Sequence, residues 1–299
     1  MKKLILPVLM TICLAVSAFA QTEKTQSQTP VTDYVYAKSL NEQGVRYLDV
    51  DKNYAEAVKA FRKAAELGNE YAQYNLAACY EQGLGVAKNM SEAIKLYKQS
   101  AEKGQVNAQS VLGLYYFQGT GVTQNYAEAV KWFRKAADQE NPNSQFNLGI
   151  CYHKGIGVNQ NLEEAVKWYR KAADQGEAAA QAELGGCYLL GHGVTKNEAE
   201  AIKWLKKAAE QGNANGMQML GSCYYAGLGL TKDYNEAVKL YKKAFELGDI
   251  NAESMLGLCY YLGHGVTKNT QEGIRLFRDA AKKGNEPAKD ALKKYNISE

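Results

Sequence analysis

A similar stretch of sequence recurs along this chain at an interval of 36 residues, and that interval limits the folds open to it. The copies are LGICYHKGIGV from Leu148, LGGCYLLGHGV from Leu184 and LGLCYYLGHGV from Leu256, with looser copies from Leu76, Leu112 and Leu220. Self-similarity at such a period is typical of solenoids, in which each unit buries its apolar face against its neighbours. The glycines, the cysteine and the histidine of the motif are therefore interpreted first as parts of a repeated frame.

Each repeat contains two helical patterns. The first, for example residues 144–154, ends at a glycine such as Gly155, which suits a left-handed C-cap. The second begins after an Asn or Asp such as Asn161, with a glutamate such as Glu164 three residues later, and this spacing is close to a capping box. We therefore predict seven helical hairpins followed by a capping helix.

Small residues recur in the middle of the first helices, where a glycine costs about 1 kcal/mol relative to alanine. They are Ala77, Gly113, Gly149, Gly185, Gly221 and Gly257. Close contact between the two helices of a hairpin would offset that cost. Trp132, Trp168 and Trp204 share one position of the second helices, and we predict that they anchor the core.

Five cysteines also share one repeat position. They are Cys79, Cys151, Cys187, Cys223 and Cys259. Equivalent neighbouring helices lie about 8–10 Å apart, whereas a disulfide requires Cα atoms within about 7 Å. We predict buried, reduced thiols that act as small apolar side chains.

The two ends of the chain differ from the repeats. Residues 1–20, MKKLILPVLMTICLAVSAFA, have the pattern of a cleaved export signal, and the polar residues 21–34 are interpreted as a flexible leader. Residues 35–299 form the predicted solenoid. The mature protein is expected to be soluble and exported, either periplasmic or secreted. No later stretch is apolar for the roughly 18 residues of a membrane span, so no membrane insertion is predicted.

The repeated frame LGxCYxxGxGVxxNxxEAVKWxxKAAxxG resembles the Sel-one-like repeat family, which is related to the tetratricopeptide repeats. The resemblance covers nearly all of the predicted mature chain and implies an all-α fold, a right-handed α–α superhelix. The first unit departs from the frame because it lacks the GxGV loop, and it resembles an N-terminal cap. At the other end, EPAKDALKKYN, with Lys293 where other units have Gly or Ala, resembles a half repeat that closes the stack.

Several chemical interpretations compete with this frame. The GxG elements close one helix instead of opening one after a strand, so they do not predict a dinucleotide site. Cys187 with His192, and Cys259 with His264, could supply two zinc ligands each, but other units carry Leu or Ile at the histidine position. We predict that these histidines pack on the hairpin end, and that the protein holds neither a metal nor a cofactor.

An enzymatic alternative rests on Ser100 and Lys103, which match the Ser-x-x-Lys motif of penicillin-interacting enzymes. Some cysteine-rich members of the family that the chain resembles have been credited with β-lactamase-like activity. However, no SDN or KTG motif occurs, and those relatives carry two cysteines per unit that pair. Ser100 also occupies a slot that holds alanine in the other units. A weak β-lactamase-like or peptidoglycan-amide hydrolase remains an alternative prediction.

The charge pattern gives no indication of a nucleic-acid partner. The formal charge is +4, and loss of Lys2 and Lys3 with the signal would leave +2. Lys and Arg of the second helices alternate with Glu and Asp at spacings of three to four, which is typical of ion pairing on a solvated surface.

Four positions of the first helices vary between units while the packing positions stay fixed, and their spacing of 3, 4 and 3 puts them on one helical face. By resemblance to tetratricopeptide arrays, this face should line a concave groove. Aromatic and uncharged polar residues dominate there, and this mix suits a protein segment or peptide as ligand. The predicted contact residues are Tyr74, Asn107, Phe117, Asn143, Phe146, His153, Tyr225, Asn251 and Tyr261.

The sequence therefore predicts a non-enzymatic adaptor or scaffold that binds a protein or peptide through this groove. A purely structural role in the cell envelope is a further alternative. The rings could also serve only to pack along the superhelix, and burial of Phe117, Phe146, Tyr225 and Tyr261 by neighbouring helices would contradict the groove prediction.

Overall fold

The computed structural model describes residues 30–297, and within that range the chain forms fifteen helices and no strand. They are α1 (Pro30–Asp49), α2 (Tyr54–Glu66), α3 (Glu70–Gln82), α4 (Met90–Glu102), α5 (Val106–Gln118), α6 (Tyr126–Asp138), α7 (Pro142–Lys154), α8 (Leu162–Asp174), α9 (Ala178–Leu190), α10 (Glu198–Glu210), α11 (Ala214–Ala226), α12 (Tyr234–Glu246), α13 (Ile250–Leu262), α14 (Thr270–Lys282) and α15 (Glu286–Lys294). Consecutive helices form seven hairpins, each from an odd-numbered first helix and an even-numbered second helix, and α15 follows them. The predicted all-α solenoid and its hairpin count are confirmed.

The N-terminal boundary lies earlier than the sequence suggested. Helix α1 begins at Pro30, inside the segment 21–34 that we interpreted as a leader. The predicted export signal, residues 1–20, lies outside the described residues. Among residues 30–297, no helix is long and apolar enough to span a membrane.

The turn within each hairpin is fixed at both ends by backbone hydrogen bonds. Gly155 ends α7 in the left-handed conformation with φ 67°, and the Asn161 side chain accepts a bond of 3.0 Å from the Glu164 amide. Glu164 does not return the bond of a full capping box. Its carboxylate pairs with Lys167 at 3.1 Å, while the Asn161 amide donates to the Tyr152 carbonyl at 2.9 Å. The cap therefore also ties the two helices of the hairpin together.

The mid-helix glycines permit close contact within a hairpin, as predicted. A β-carbon placed on Gly149 would lie 2.5 Å from Cδ1 of Tyr169 in α8. The same crossing recurs where Gly221 meets Tyr241, with a corresponding distance of 2.8 Å. Since the ring occupies the space of the missing side chain, an aromatic residue of the second helix can cross the first helix and contact a ring on its other side, as Tyr169 contacts Phe146.

Buried polar side chains bridge neighbouring hairpins. Gln145 lies in α7, and its amide nitrogen donates to the Ala137 carbonyl of the preceding hairpin at 3.2 Å. Its carbonyl oxygen accepts from Gln175, at the end of α8, at 2.8 Å. The pairs Gln109–Gln139 and Gln181–Gln211 repeat this bond, also at 2.8 Å. At the equivalent positions, Met217 and Leu247 are apolar in one hairpin, and Glu253 pairs with Lys283 at 2.8 Å in the next.

The cysteine thiols are buried and free, which confirms the prediction for all five of the repeated positions. Burial raises the pKa of Cys151, Cys187 and Cys259 to about 12, and that of Cys79 and Cys223 to about 11. Their environment is that of a core side chain.

The two ends of the stack carry polar residues in frame positions that are apolar or small elsewhere. Arg46 of α1 stands where α3 has Cys79, and its side chain is 74% exposed. Lys293 of α15 stands where α13 has Gly257 and is also exposed. The first and last described helices therefore carry an exposed charge where an interior helix has a buried cysteine or glycine.

Candidate functional site

The first helices lie on the concave side of the solenoid. They contact one another across successive hairpins at α1 and α3, α5 and α7, α9 and α11, and α13 and α15, whereas within residues 30–297 no pair of second helices makes comparable contact. A stack whose helices approach more closely on one side curves towards that side. The four variable positions of each first helix form the surface on this concave side. We call this surface the groove face.

The approach of first helices is closest at α9 and α11, where small side chains allow it. A β-carbon on Gly186 would lie 2.7 Å from the terminal methyl of Met219. Ala179 and Ala182 share this face of α9. On α9 the groove face therefore consists largely of small residues, and it lies between the aromatic residues of α7 and α11.

The aromatic residues predicted to line the groove are neither covered nor fully open. Tyr74, Phe117, Phe146, Tyr225 and Tyr261 are all half-buried. Neighbouring helices do not bury them, so the condition that would have contradicted the groove prediction is not met. The predicted asparagines Asn107, Asn143 and Asn251 are exposed on the same face.

Beneath most of these rings lies an aromatic ring from the second helix of the same hairpin. The centroid distances are 5.5 Å for Tyr74–Tyr97, 6.3 Å for Phe117–Phe133, 6.0 Å for Phe146–Tyr169 and 6.2 Å for Tyr261–Phe277. Each supporting ring is almost fully buried. A layer of buried aromatic rings thus supports the groove face. The alignment of the repeats alone did not predict this layer.

Two tyrosine hydroxyls of the second helices reach polar groups of the groove face. Tyr97 donates to the Glu81 carboxylate at 2.8 Å, and Tyr241 donates to the Ser222 hydroxyl at 3.2 Å. Neither tyrosine is singled out by the sequence pattern. Their hydroxyls could have been noticed because Phe133 and Phe277 fill the same position without one.

The loop histidines also reach the groove edge, which the interpretation as hairpin-end packing did not anticipate. His264 stacks on Tyr234 at 4.4 Å, and its Nδ1 lies 2.8 Å from the Tyr225 hydroxyl. His192 lies 6.1 Å from His153, ring to ring. Burial, and then the nearby His192 and Lys154, lower the pKa of His153. In both cases a loop side chain of one hairpin contacts a groove residue of the preceding hairpin.

The C-terminal end of the groove is partly closed by the chain itself. Tyr295, which follows α15, lies 4.4 Å from Tyr261, ring to ring. Ile297 packs on the same cluster. Tyr261 therefore offers less surface to a ligand than the predicted residues nearer the middle of the chain.

A half-buried carboxylate lies beside the small-residue region. Glu183 of α9 is half-buried, and its carboxylate accepts a long hydrogen bond of 3.4 Å from Asn215 of α11. Desolvation raises the pKa of Glu183, and Lys154 partly opposes that rise. The sequence analysis did not single out this residue.

The groups of the hydrolase alternative are engaged in packing. Ser100 is 0% exposed, and its hydroxyl donates to the Glu70 carbonyl at 2.7 Å. The Lys103 amine donates to the Gly68 carbonyl at 2.5 Å instead of approaching Ser100. In this arrangement a substrate has no access to the hydroxyl. In the part of the chain that the structure describes, no group of three or more His, Cys, Asp or Glu side chains could hold a metal ion.

Comparisons with known proteins identify the repeat. The Sel1 repeat family matches residues 34–69, 70–105, 106–141, 142–177, 178–213, 214–249 and 250–285. A search of curated protein sequences found no match.

Two solved structures share the fold over most of this chain. A Sel1 repeat protein from Oxalobacter formigenes is 34% identical, with a TM-score of 0.74 over 81% of this chain and 96% of that one. A protective antigen present in uropathogenic Escherichia coli strains, which displays an SLR fold, is 39% identical, with a TM-score of 0.67 over 77% of this chain. The present chain covers half of that antigen's length. Because the seven matched repeats follow one another without a gap, the chain belongs to the Sel1 repeat family.

Proposed function

We propose that this protein is a non-enzymatic adaptor or scaffold that binds a protein segment or peptide along the groove face. Sel1 repeats typically mediate protein–protein interactions. The observation that carries the proposal is the row of half-exposed rings on the concave side, most of them supported by a buried ring beneath. Rings held in place before binding supply contact area at a small entropic cost.

The proposed contact residues divide into two kinds. Tyr74, Phe117, Phe146 and Tyr225 act as anchors because their rings are supported and partly open. The exposed amides of Asn107, Asn143 and Asn251 can exchange hydrogen bonds with the backbone of an extended segment. His153 and Tyr261 contribute at the edge and at the C-terminal end.

We place the protein outside the cytoplasm, in the periplasm or secreted, because residues 1–20 have the pattern of an export signal. The partner would then be an exported protein too. Fractionation of cells and N-terminal sequencing of the recovered protein test this: a mature chain that begins at Gln21 supports export, whereas a cytoplasmic chain that retains Met1 contradicts it.

Affinity capture from periplasmic extract tests the binding function when wild-type protein is compared with Phe146→Ala and Tyr225→Ala. Both substitutions should deplete the same captured proteins. Tyr152→Ala is the matched control, because Tyr152 also lies in α7 and is half-buried but contacts Arg134 of the preceding hairpin. Equal capture by all four proteins would contradict binding at the groove face.

The hydrolase alternative makes an opposing prediction. Turnover of a reporter β-lactam that is lost in Ser100→Ala would overturn the non-enzymatic assignment. We expect no turnover by either protein, because the Ser100 hydroxyl is bonded and inaccessible.

A further inference from the structure

Glu81 is a half-buried carboxylate on the groove face that has no cationic partner in the described chain. It occupies the last groove position of α3, and no Lys, Arg or His side chain of residues 30–297 forms an ion pair with it. In the same hairpin, Glu92 pairs with Lys95 at 3.1 Å. A carboxylate that is partly removed from water without a countercharge costs free energy, which a bound cation would recover.

One buried tyrosine hydroxyl binds this carboxylate, and a second lies near it. The Tyr97 hydroxyl donates to Oε2 of Glu81 at 2.8 Å, and Tyr97 is only 2% exposed. The hydroxyl of Tyr115, which is 7% exposed, is buried without a hydrogen-bond partner. The nearby Glu81 contributes to the raised pKa of Tyr115, after desolvation, so this unpaired hydroxyl also lies close to the carboxylate.

Aromatic faces adjoin the carboxylate. Tyr74 lies two helical turns before Glu81 on the same face, and its ring is 5.5 Å from that of Tyr97. The ring of Tyr97 is in turn 5.9 Å from that of Tyr115. An ammonium or guanidinium group is attracted to the face of such a ring. Between Tyr74 and Glu81 the groove position is the small Ala78, which leaves room for an incoming side chain.

We propose that Glu81 and Tyr74 form a subsite for a lysine or arginine side chain of the segment that binds in the groove. The subsite rests on the proposed function and specifies the partner's chemistry: a segment that carries a basic residue where it crosses α3. The Glu81 carboxylate pairs with the cation, the Tyr74 ring contacts its alkyl stem or its charged end, and the buried tyrosines hold the carboxylate in place.

Selection of random phage-displayed peptides on the purified full-length protein provides a probe. Selected peptides should carry a Lys or Arg, and replacement of that residue by Gln should weaken binding to the wild type about tenfold or more, since a hydrogen bond to a charged group contributes about 1.5–3 kcal/mol. On Glu81→Gln the same replacement should have little effect. Glu102→Gln, in the exposed part of α4, is the matched control and should behave as the wild type.

Fluorescence anisotropy measures these affinities, and thermal unfolding shows whether each variant is folded. Peptides whose binding needs Phe146 but shows no preference for a basic residue would overturn the subsite and leave the proposed function intact. An equal loss on wild type and Glu81→Gln would overturn it as well. Failure to select any peptide that depends on Phe146 or Tyr225 would count against both proposals.

Discussion

The ring of Phe146 on the groove face lies 6.0 Å from the ring of Tyr169, which reaches it from α8 by crossing Gly149. The glycine that lets the two helices approach thus also determines how close the Tyr169 ring lies to the groove face. A change in the interior of a hairpin should therefore affect both stability and the surface offered to a ligand.

Gly149→Ala should lower the free energy of unfolding by up to about 2 kcal/mol. The new methyl would lie 2.5 Å from Tyr169, and overpacking of this kind costs about 1–3 kcal/mol, while the gain in helix propensity returns about 1. Ala77 faces Tyr97 at the equivalent place, so a hairpin can adapt to this methyl at some cost. Urea unfolding measures the effect, with Asn143→Ala as an exposed control in the same helix; a more stable Gly149→Ala protein would show that the contact is loose.

Trp168→Ala should cost about 3–5 kcal/mol of stability, as truncation of a buried aromatic side chain generally does. Trp168 is 5% exposed, and its indole nitrogen has no hydrogen-bond partner, so its contribution comes from packing. The Lys171 amine lies 4.2 Å from the ring, and Lys171→Ala should cost only about 0.5–1 kcal/mol. If the two variants unfold at the same urea concentration, the assignment of Trp168 to the core is wrong.

Gln175→Leu should destabilise the protein by about 1–3 kcal/mol, because it leaves the buried carbonyl oxygen of Gln145 without its donor. The double variant Gln145→Met with Gln175→Leu should recover most of that loss, since Met217 and Leu247 occupy these positions in another hairpin. A double-mutant cycle of unfolding free energies measures the coupling. Additive losses would show that the two side chains act independently.

The repeated cysteines should react with an aromatic disulfide reagent at pH 8 only as the protein unfolds. Burial raises the pKa of these thiols to about 11–12, so the thiolate is rare at pH 8, and the surrounding core blocks the reagent. Reaction should be slow in buffer and complete within the mixing time in concentrated guanidinium. Rapid reaction of Cys151 in the folded protein would contradict its placement in the core.

Glu183→Gln should stabilise the protein at neutral pH. Desolvation raises the pKa of Glu183 in the folded state, so the folded protein binds the proton more tightly than the unfolded chain does, and stability falls as pH rises through the folded-state pKa. The stabilisation by Gln should therefore vanish in acid, below the ordinary pKa of a glutamate. Denaturant unfolding between acid and neutral pH, with the exposed Glu163→Gln as control, tests this; a variant less stable than wild type at neutral pH would refute it.

The sequence was sufficient to predict the hairpins because the main structural devices recur at 36 residues after the first hairpin: Asn161 caps, Gly155 terminates and Tyr169 packs at positions that most of these hairpins share. What it did not predict depends on how neighbouring hairpins are set against each other. Gln145 of α7 donates to the Ala137 carbonyl of the preceding hairpin, and His264 reaches Tyr225 across a hairpin boundary. Such contacts depend on how the hairpins stack and curve, and the spacing of residues within one helix does not predict this.

The groove residues divide in the same way. Their common face follows from spacing alone, and Phe117, Phe146 and Tyr225 are half-buried in the structure. The covering of Tyr261 by Tyr295 was not foreseen, because it depends on where the chain turns after α15. Glu183 was overlooked because the other hairpins after the first place Asn, Val or Met at its position, and no shared residue type drew attention to it.

The polar residues Arg46 and Lys293 in the first and last helices restrict how proteins of this architecture can gain repeats. Duplication of the first hairpin would place a second copy of Arg46 against another hairpin, where the frame has a buried cysteine, whereas duplication of an interior hairpin would reproduce an interface that already exists. Gain or loss of repeats in evolution should thus occur within the array and leave its ends unchanged. Each inserted copy would add one further row of contact side chains, so the length of ligand that such a protein accommodates would change in discrete steps.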